Sequence, residues 1–160
     1  MTLYGRVVRA LGRTRAFGWV GARVLHRLDL PFRDRRHSVS SLGTGFPLCY
    51  LTVRGRRSGE ARTVPLLHVA DGERVVVIAS NWGRARHPDW AHNLDAADEA
   101  TVTVAGKSRV LRPRRAQPDE HERYWSQALD VWPGYDGYRR RAGRELRVFV
   151  LEPEEAQAGG

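Results

Sequence analysis

The residues best suited to chemistry lie between Leu51 and Leu94, and they offer cations and hydrogen-bond donors instead of a nucleophile. A short loop from Gly55 to Gly59 places charged and hydroxyl side chains between two glycines: Arg56, Arg57 and Ser58. Glycines let backbone N–H groups converge, and guanidinium groups bind phosphate and carboxylate through paired hydrogen bonds. A basic glycine turn can also be a plain solvated hairpin. The loop therefore predicts an anion site only together with its neighbours, among them Arg62.

A second group of donors follows a run of four β-branched residues, Val75 to Ile78. The run predicts a strand buried on both faces, so the next side chains should stand at the rim of a sheet. They are a hydroxyl, an amide and an indole: Ser80, Asn81 and Trp82. Such groups can hydrogen-bond to and stack on a planar heterocycle. An ordinary turn anchored by a tryptophan is the alternative.

Several common kinds of site have no support in the sequence. His87 and His92 are five residues apart, which does not place them on one helical face, and no cysteine or carboxylate completes a ligand set, so we expect no metal. The sequence has no G-x-S-x-G elbow, no Walker loop and no Rossmann fingerprint. The single cysteine, Cys49, lies in an apolar run and is expected to be a buried thiol.

Late in the chain, aromatic residues recur at helical spacing: Trp132, Tyr135 and Tyr138. Packing in the core is one explanation. The other is a pocket for a planar substrate, in which the phenols donate hydrogen bonds.

Short strands separated by turn residues must position these groups. The pattern predicts strands over residues 48–53, 63–69, 75–80, 101–104, 108–115 and 146–151. Pro65 would mark an edge or a bulge of the second strand. Helices are predicted over 88–97 and from Pro118 to Trp132, and residues 135–144 are predicted to be a polar connection. This is a mainly β chain of the α+β class, a small antiparallel barrel with helical additions.

The chain divides by composition into four parts. Residues 1–36 carry nine arginines against two aspartates, so they hold +7 of the net charge of +9. We expect a basic amphipathic helical arm there, either packed on the domain or bound to anionic lipid as a peripheral membrane contact. Residues 37–46 are a predicted linker, residues 47–153 the main domain, and residues 154–160 a disordered tail.

The charge indicates an anionic partner without identifying it. Because 26 of the 27 basic residues are arginine, codon bias explains the excess as well as surface selection does. A nucleic-acid-binding module would need aromatic interleaving in a recognised pattern, which is missing. With no apolar run near the roughly 20 residues of a membrane span and no signal peptide, we expect a cytoplasmic protein, with membrane association through the arm left open.

Four segments, in order, carry a resemblance to a known family: L-T-V-R-G-R-R-S-G-E-A-R-T-V-P-L-L-H-V, V-V-V-I-A-S-N-W-G, H-P-D-W-A-H-N-L-D-A and T-V-T-V. The chain resembles the deazaflavin-dependent nitroreductases from about Pro47 to Pro153. These are split β-barrel oxidoreductases that use 8-hydroxy-5-deazaflavin, coenzyme F420. Their ordered set of motifs is far more specific than any single one.

The resemblance implies a role for each matching position. The cofactor's phosphate and oligoglutamate tail would be held by Arg56, Arg57, Ser58, Arg62 and Thr63. Its ring would lie along or beside Pro65, Leu66, Ala79, Ser80, Asn81, Trp82, Trp90 and Asn93. The substrate side would be lined by His68, Trp132, Tyr135 and Tyr138, with Ser80, Tyr135 and Tyr138 as the catalytic hydrogen-bond donors.

Departures from the family pattern concern the substrate side. His68 stands where a tyrosine is common, and Trp132 replaces the first tyrosine of the late run, which leaves substrate preference open. Ala97 and Asp98 replace a usual Asn-Pro after the helix.

The implied activity is hydride transfer from reduced F420 to a quinone, nitroaromatic or activated-alkene acceptor. Such chemistry needs orientation and charge stabilisation instead of a catalytic triad. The alternatives are a non-catalytic F420- or flavin-binding protein of the same fold, or a relative that uses FMN. Relatives include both dimers and monomers, so either a monomer or a homodimer is expected.

Overall fold

The structure is a computed structural model, and it describes residues 46–154. The predicted arm, all but the end of the predicted linker, and nearly all of the predicted tail lie outside the described residues. The division of the chain into four parts therefore stays a prediction.

Six antiparallel strands close into a barrel in the order β1-β2-β3-β6-β5-β4. The strands are β1 Leu48–Arg54, β2 Ala61–Asp71, β3 Arg74–Ile78, β4 Ala100–Val104, β5 Lys107–Arg115 and β6 Val148–Glu152. The helices are α1 Asp89–Asp95, α2 Pro118–Val131 and α3 Gly134–Ala142, with a 3₁₀ turn at Asn81–Gly83. The predicted fold class, a mainly β split barrel with flanking helices, is confirmed.

Strand β3 is buried on both faces, as its β-branched run predicts. Val75 and Val77 point into the barrel and join an interior core that includes Leu51 and Phe149. Val76 and Ile78 point outward, into a second core beneath α2 and α3. The period-2 alternation of a strand thus serves two apolar compartments at once.

Helix α1 closes one end of the barrel. Ala91 and Leu94, three residues apart on one helical face, are 0% and 2% exposed and belong to the interior core. Trp90 packs against Phe149 with the ring centroids 5.9 Å apart. Among residues 46–154, no helix is both long and apolar enough to cross a bilayer.

Helix α2 lies on the outside of the barrel and is joined to it by polar contacts. Glu120 accepts the backbone N–H of Gln117 at 2.9 Å, which satisfies a free donor at the helix start. The same carboxylate pairs with Arg114 of β5 at 2.6 Å. Arg114 also binds Glu152 of β6 at 2.7 Å, so one guanidinium joins a helix to two strands.

Helix α3 and the ends of several strands differ from the prediction, and one of these strands is β6, which begins at Val148 instead of Leu146. Residues 135–144, predicted as a polar connection, contain helix α3, because Tyr135, Tyr138 and Ala142 share a face that packs into the outer core. Arginines on its other face had obscured that pattern. Strand β3 ends at Ile78 instead of Ser80, because residues 81–83 turn into left-handed backbone.

Pro65 lies in a part of β2 where the missing N–H of proline disrupts the sheet hydrogen bonds least. It pairs with Tyr50 of β1, and the pairing of β2 with β3 starts only at His68. Among residues 46–154, this half of β2 has no partner strand on its other side, as predicted for a sheet edge.

Candidate functional site

Two loops emerge together at the end of the barrel that α1 closes. The β1–β2 loop follows the last pair of that hairpin, Arg54 with Ala61. The segment after β3 leaves the barrel next to the start of β6, where Ile78 pairs with Val148. Because neighbouring strands are antiparallel, the barrel brings residues 55–60 and 79–88 to the same end.

The β1–β2 loop is tightly folded. Gly59 donates its N–H to the carbonyl of Gly55 at 2.7 Å, and Gly55 donates to the carbonyl of Glu60 at 2.8 Å. A Cβ on Gly55 would lie 2.6 Å from the Ser58 hydroxyl, and Gly59 has a φ of 71°. The positive φ of Gly59 favours glycine, and Gly55 leaves room for the Ser58 hydroxyl within the turn.

Asn93 of α1 anchors this loop from below. Its side-chain oxygen accepts the Arg56 backbone N–H at 3.1 Å and the Arg56 guanidinium at 3.2 Å. Asn93 is only 7% exposed, so its amide is fixed in the protein interior. The result is a rigid link between α1 and the loop, with Arg57 and Ser58 exposed at the tip.

Positive charge is left without acidic partners at this end. Among the described residues, Arg56, Arg57, Arg84 and Arg86 have no carboxylate within ion-pair distance, whereas most arginines on the strands do have one. Arg62 pairs with Glu60 at 2.8 Å, but both side chains are more than half exposed. Such a pair contributes little and can be displaced by a ligand. Guanidinium groups without acidic partners on two loops at the same barrel end make this end a candidate site for an anion.

The segment after β3 has an unusual backbone. Asn81, Trp82 and Gly83 have φ angles of 45°, 58° and 79° in succession. Left-handed backbone costs a residue with a side chain about 1–2 kcal/mol. Asn81 is held by its side-chain amide, which donates to the carbonyl of Arg86 at 2.8 Å. Strain of this kind often accompanies a functional site.

His87 and His92 lie among arginines. Arg144 donates to Nδ1 of His87 at 2.9 Å. Because arginine stays protonated, Nδ1 must accept, so the His87 ring is neutral with its proton on Nε2. Burial, with the charges of Arg144 and Arg147, lowers the pKa of His87 to about 4. Burial also lowers the pKa of His92, whose ring lies 5.8 Å away.

Of the residues predicted for the substrate side, Trp132, Tyr135 and Tyr138 are buried in the outer core, whereas His68 stands opposite the inward-pointing Val77. Trp132 and Tyr135 are each 5% exposed and Tyr138 is 2% exposed. His68, 7% exposed, lines a narrow recess with Tyr135, and its Nδ1 has no hydrogen-bond partner within residues 46–154. The recess has no room for a water molecule. Burial raises the pKa of Tyr135, so its phenol remains protonated.

The other predicted cofactor residues contribute in different ways. Leu66, Ala79 and Trp90 direct their side chains into the interior core. Thr63 and Pro65 lie on the other face of the sheet, away from the interior core. There the Thr63 hydroxyl lies 2.8 Å from the Thr52 hydroxyl. Ser80, Asn81 and Trp82 are partly exposed at the barrel end.

Sequence reasoning missed two arginines at the barrel end. Arg147 pairs with Asp95 of α1 at 2.8 Å. Arg144, just after the left-handed Gly143 that ends α3, reaches the segment after β3. A glycine at a helix end followed by an arginine is too common a pattern to have identified either residue.

Comparisons with known proteins agree on one family. The profile of the F420H(2)-dependent quinone reductases matches residues 31–153. A Mycobacterium tuberculosis protein named as a candidate F420H(2)-dependent quinone reductase is 32% identical over 116 residues, covering 70% of this chain and 98% of that protein. Another from the same species, named F420H(2)-dependent quinone reductase, is 27% identical, covering 82% and 91%. A solved F420-H2 dependent reductase, FDR-A, is 30% identical with a TM-score of 0.62, covering 66% and 94%.

The neutral state of His87 predicts a pH dependence of stability. His87 binds a proton near pH 6.5 when unfolded but only near pH 4 when folded. Between these values the unfolded state holds more protons, so the free energy of unfolding should fall as the pH is lowered. In His87→Asn, whose side-chain oxygen can still accept from Arg144, the slope should be smaller by up to about 1 kcal/mol per pH unit.

Urea unfolding at several pH values between 4.5 and 7 measures that slope. His121→Asn is the control, because His121 lies on α2, outside the cluster. Equal slopes for wild type and His87→Asn would contradict the prediction.

Proposed function

The chain belongs to the F420H(2)-dependent quinone reductase family, and from this premise we propose how its residues divide the work of an F420-dependent reductase. The protein is an oxidoreductase that uses coenzyme F420 and reduces a quinone-type acceptor. The family match across most of the main domain carries this conclusion. Nitroaromatic and activated-alkene acceptors, and FMN as a second cofactor, stay predictions.

The β1–β2 loop is the proposed site for the cofactor's phosphate and oligoglutamate tail. Its fit rests on guanidinium groups without acidic partners, a hydroxyl donor and the tight turn between Gly55 and Gly59. Arg57 and Ser58 would contact the anion from the exposed tip, with Arg56, Arg62 and Thr63 beside them. Asn93, whose oxygen is occupied by Arg56, would act by holding the loop.

The segment after β3 is the proposed border of the deazaflavin ring. Ser80, Asn81 and Trp82 present a hydroxyl, an amide and an indole, all partly exposed. Pro65 would add an apolar surface on the outer face of β2. Leu66, Ala79 and Trp90 face the core and would support the ring site from behind.

Reduced F420, when bound, supplies a hydride, so the chain itself needs neither a nucleophile nor a metal. The protein's task is to orient the acceptor, exclude water and donate hydrogen bonds where negative charge develops on the acceptor oxygen. Ser80 is the most accessible of the proposed donors. Tyr135 and Tyr138 retain their protons, because burial raises the pKa of both phenols.

The recess between β2 and α2 is the proposed approach for one polar end of the acceptor. His68 and Tyr135 both line this recess, and His68 Nδ1 is buried and without a partner among the described residues. A buried unpartnered nitrogen is costly unless a ligand satisfies it at some stage of the reaction. Since the recess is closed to water, α2 or Tyr135 must move to admit the acceptor.

The basic arm, residues 1–36, is the proposed site of contact with a membrane. The +7 charge of residues 1–36 supports peripheral binding to anionic lipid, where a lipid-like quinone would be met. A monomer and a homodimer both remain compatible with this function.

The function is tested by anaerobic mixing of the protein, reduced F420 and a soluble naphthoquinone. Catalysis should restore the absorbance of oxidised F420, and a thermal shift with F420 should exceed that with FMN, FAD or haem. Binding of F420 without turnover across quinones, nitroaromatics and enones would indicate a non-catalytic binding protein. A larger shift with FMN would indicate a flavin enzyme.

The loop assignment predicts that Arg57→Ala with Ser58→Ala weakens F420 binding about tenfold or more, because two hydrogen bonds to an anionic group are lost. Fluorescence titration of F420 measures the dissociation constant. Ser108→Ala with Arg109→Ala is the matched control, because these residues lie by the β4–β5 turn at the opposite end of the barrel. An unchanged dissociation constant for the loop variant would refute the assignment.

The acceptor assignment predicts that Tyr135→Phe lowers kcat for quinone reduction while the F420 dissociation constant stays the same. The lost hydroxyl would no longer donate to the acceptor, and the expected decrease is roughly tenfold to a hundredfold. Tyr124→Phe is the control: this hydroxyl donates to Asp71 at 2.7 Å, away from the recess. If Tyr135→Phe turns over like wild type, Tyr135 only packs the core.

A further inference from the structure

Arg144 makes a set of contacts that neither the sequence nor the family assignment indicated. Its side chain extends from the end of α3 beneath the segment that follows β3. The guanidinium donates to four carbonyl groups of that segment: Arg86 at 3.0 Å, Arg84 at 3.2 Å, Ser80 at 3.4 Å and Ala79 at 3.4 Å. It also donates to His87 Nδ1 at 2.9 Å. One side chain thus makes hydrogen bonds along the whole segment from residue 79 to residue 87.

These contacts use the whole donor set of the guanidinium. Nε, Nη1 and Nη2 each have at least one carbonyl or imidazole acceptor. Among the described residues, Arg144 has no carboxylate within ion-pair distance. A planar guanidinium offers five N–H donors in a fixed geometry, whereas an ammonium offers only three on a flexible stem. Arg144 therefore shapes the backbone and has no donor free for an anionic ligand.

The segment that Arg144 holds, residues 79–87, contains the strained backbone. Asn81, Trp82 and Gly83 are left-handed in succession. A Cβ on Gly83 would lie 3.0 Å from Cα of Tyr138, so this segment also packs directly on α3. The Trp82 ring meets Tyr138 edge-on, with centroids 6.2 Å apart. Strained backbone persists only where its surroundings hold it, and Arg144 with α3 provides that support.

We propose that Arg144 is a positioning residue for the cofactor ring, holding Ser80, Asn81 and Trp82 in the conformation that binds it. The inference rests on the proposed function, which assigns these three residues to the ring. Arg144 would act without touching the cofactor, by keeping the carbonyls of the segment turned inward and its three side chains turned to the site. Loss of the guanidinium would let the segment relax to ordinary backbone angles.

Arg144→Ala and Arg144→Lys test the proposal in the full-length chain. We expect the F420 dissociation constant to rise about tenfold or more in Arg144→Ala, because small misplacements of a binding group have large effects. Arg144→Lys should recover only part of the affinity, since lysine lacks the planar fork. Added guanidinium ion at millimolar concentration should restore F420 binding to Arg144→Ala and leave wild type unchanged.

Arg114→Ala is the matched control, because it removes an arginine that holds elements together far from the segment. It should lower the Tm and leave the F420 dissociation constant unchanged. Amide hydrogen exchange without cofactor should be faster over residues 79–87 in Arg144→Ala and unchanged there in Arg114→Ala. Unaltered exchange in Arg144→Ala would overturn the proposal.

The outcomes separate this inference from the function on which it rests. If wild type binds F420 and Arg144→Ala binds it equally well, Arg144 is a structural residue and only this inference fails. If wild type does not bind F420, the proposed function fails, and the positioning role for the ring fails with it.

Discussion

Closure of the barrel by α1 is the constraint on which the site depends. The helix buries Ala91 and Leu94 in the interior core, and that burial determines where its other side chains lie. Asn93, on the same short helix, is thereby held beneath the β1–β2 loop and accepts two hydrogen bonds from Arg56. Hydrophobic burial has no preferred direction, but hydrogen bonds do. Here the burial of one face of α1 orients the Asn93 amide for its hydrogen bonds. The shape of the proposed anion site therefore depends on the packing of the core.

Charge is distributed according to the same architecture. On the strands and helices, carboxylates pair with most of the arginines, as Glu120 and Glu152 do with Arg114. In the two loops near α1, Arg56, Arg57, Arg84 and Arg86 lack such partners among the described residues. A family that binds a large anionic cofactor needs this contrast, because paired arginines would have to be released before they could bind a ligand. The net charge of +9 alone could not distinguish a cofactor site from a general basic surface.

The supporting side of the site is built from groups that do not face the ligand. Arg144 donates its hydrogen bonds to backbone carbonyls and to His87. The lowered pKa of His87 keeps the imidazole neutral, so that it can accept. Tyr138 supports Gly83 from α3. The buried aromatic residues of α3 thus connect the proposed ring border to the recess that holds His68 and Tyr135. Residues that appeared in the sequence as a substrate pocket also carry the outer core.

The sequence alone determined the β class, a third strand buried on both faces, and the identity of the family, because these depend on alternation, β-branching and the order of short motifs. It also located the glycine loop, whose conformation is largely local. Helix α3 was missed because three consecutive arginines, Arg139 to Arg141, masked its apolar face. The partnership of Asn93 with Arg56 spans 37 residues, and that of Arg144 with Ala79 spans 65. Only tertiary structure decided these contacts, because a sequence pattern reports on neighbours along the chain, whereas closure of the barrel chooses which distant groups meet.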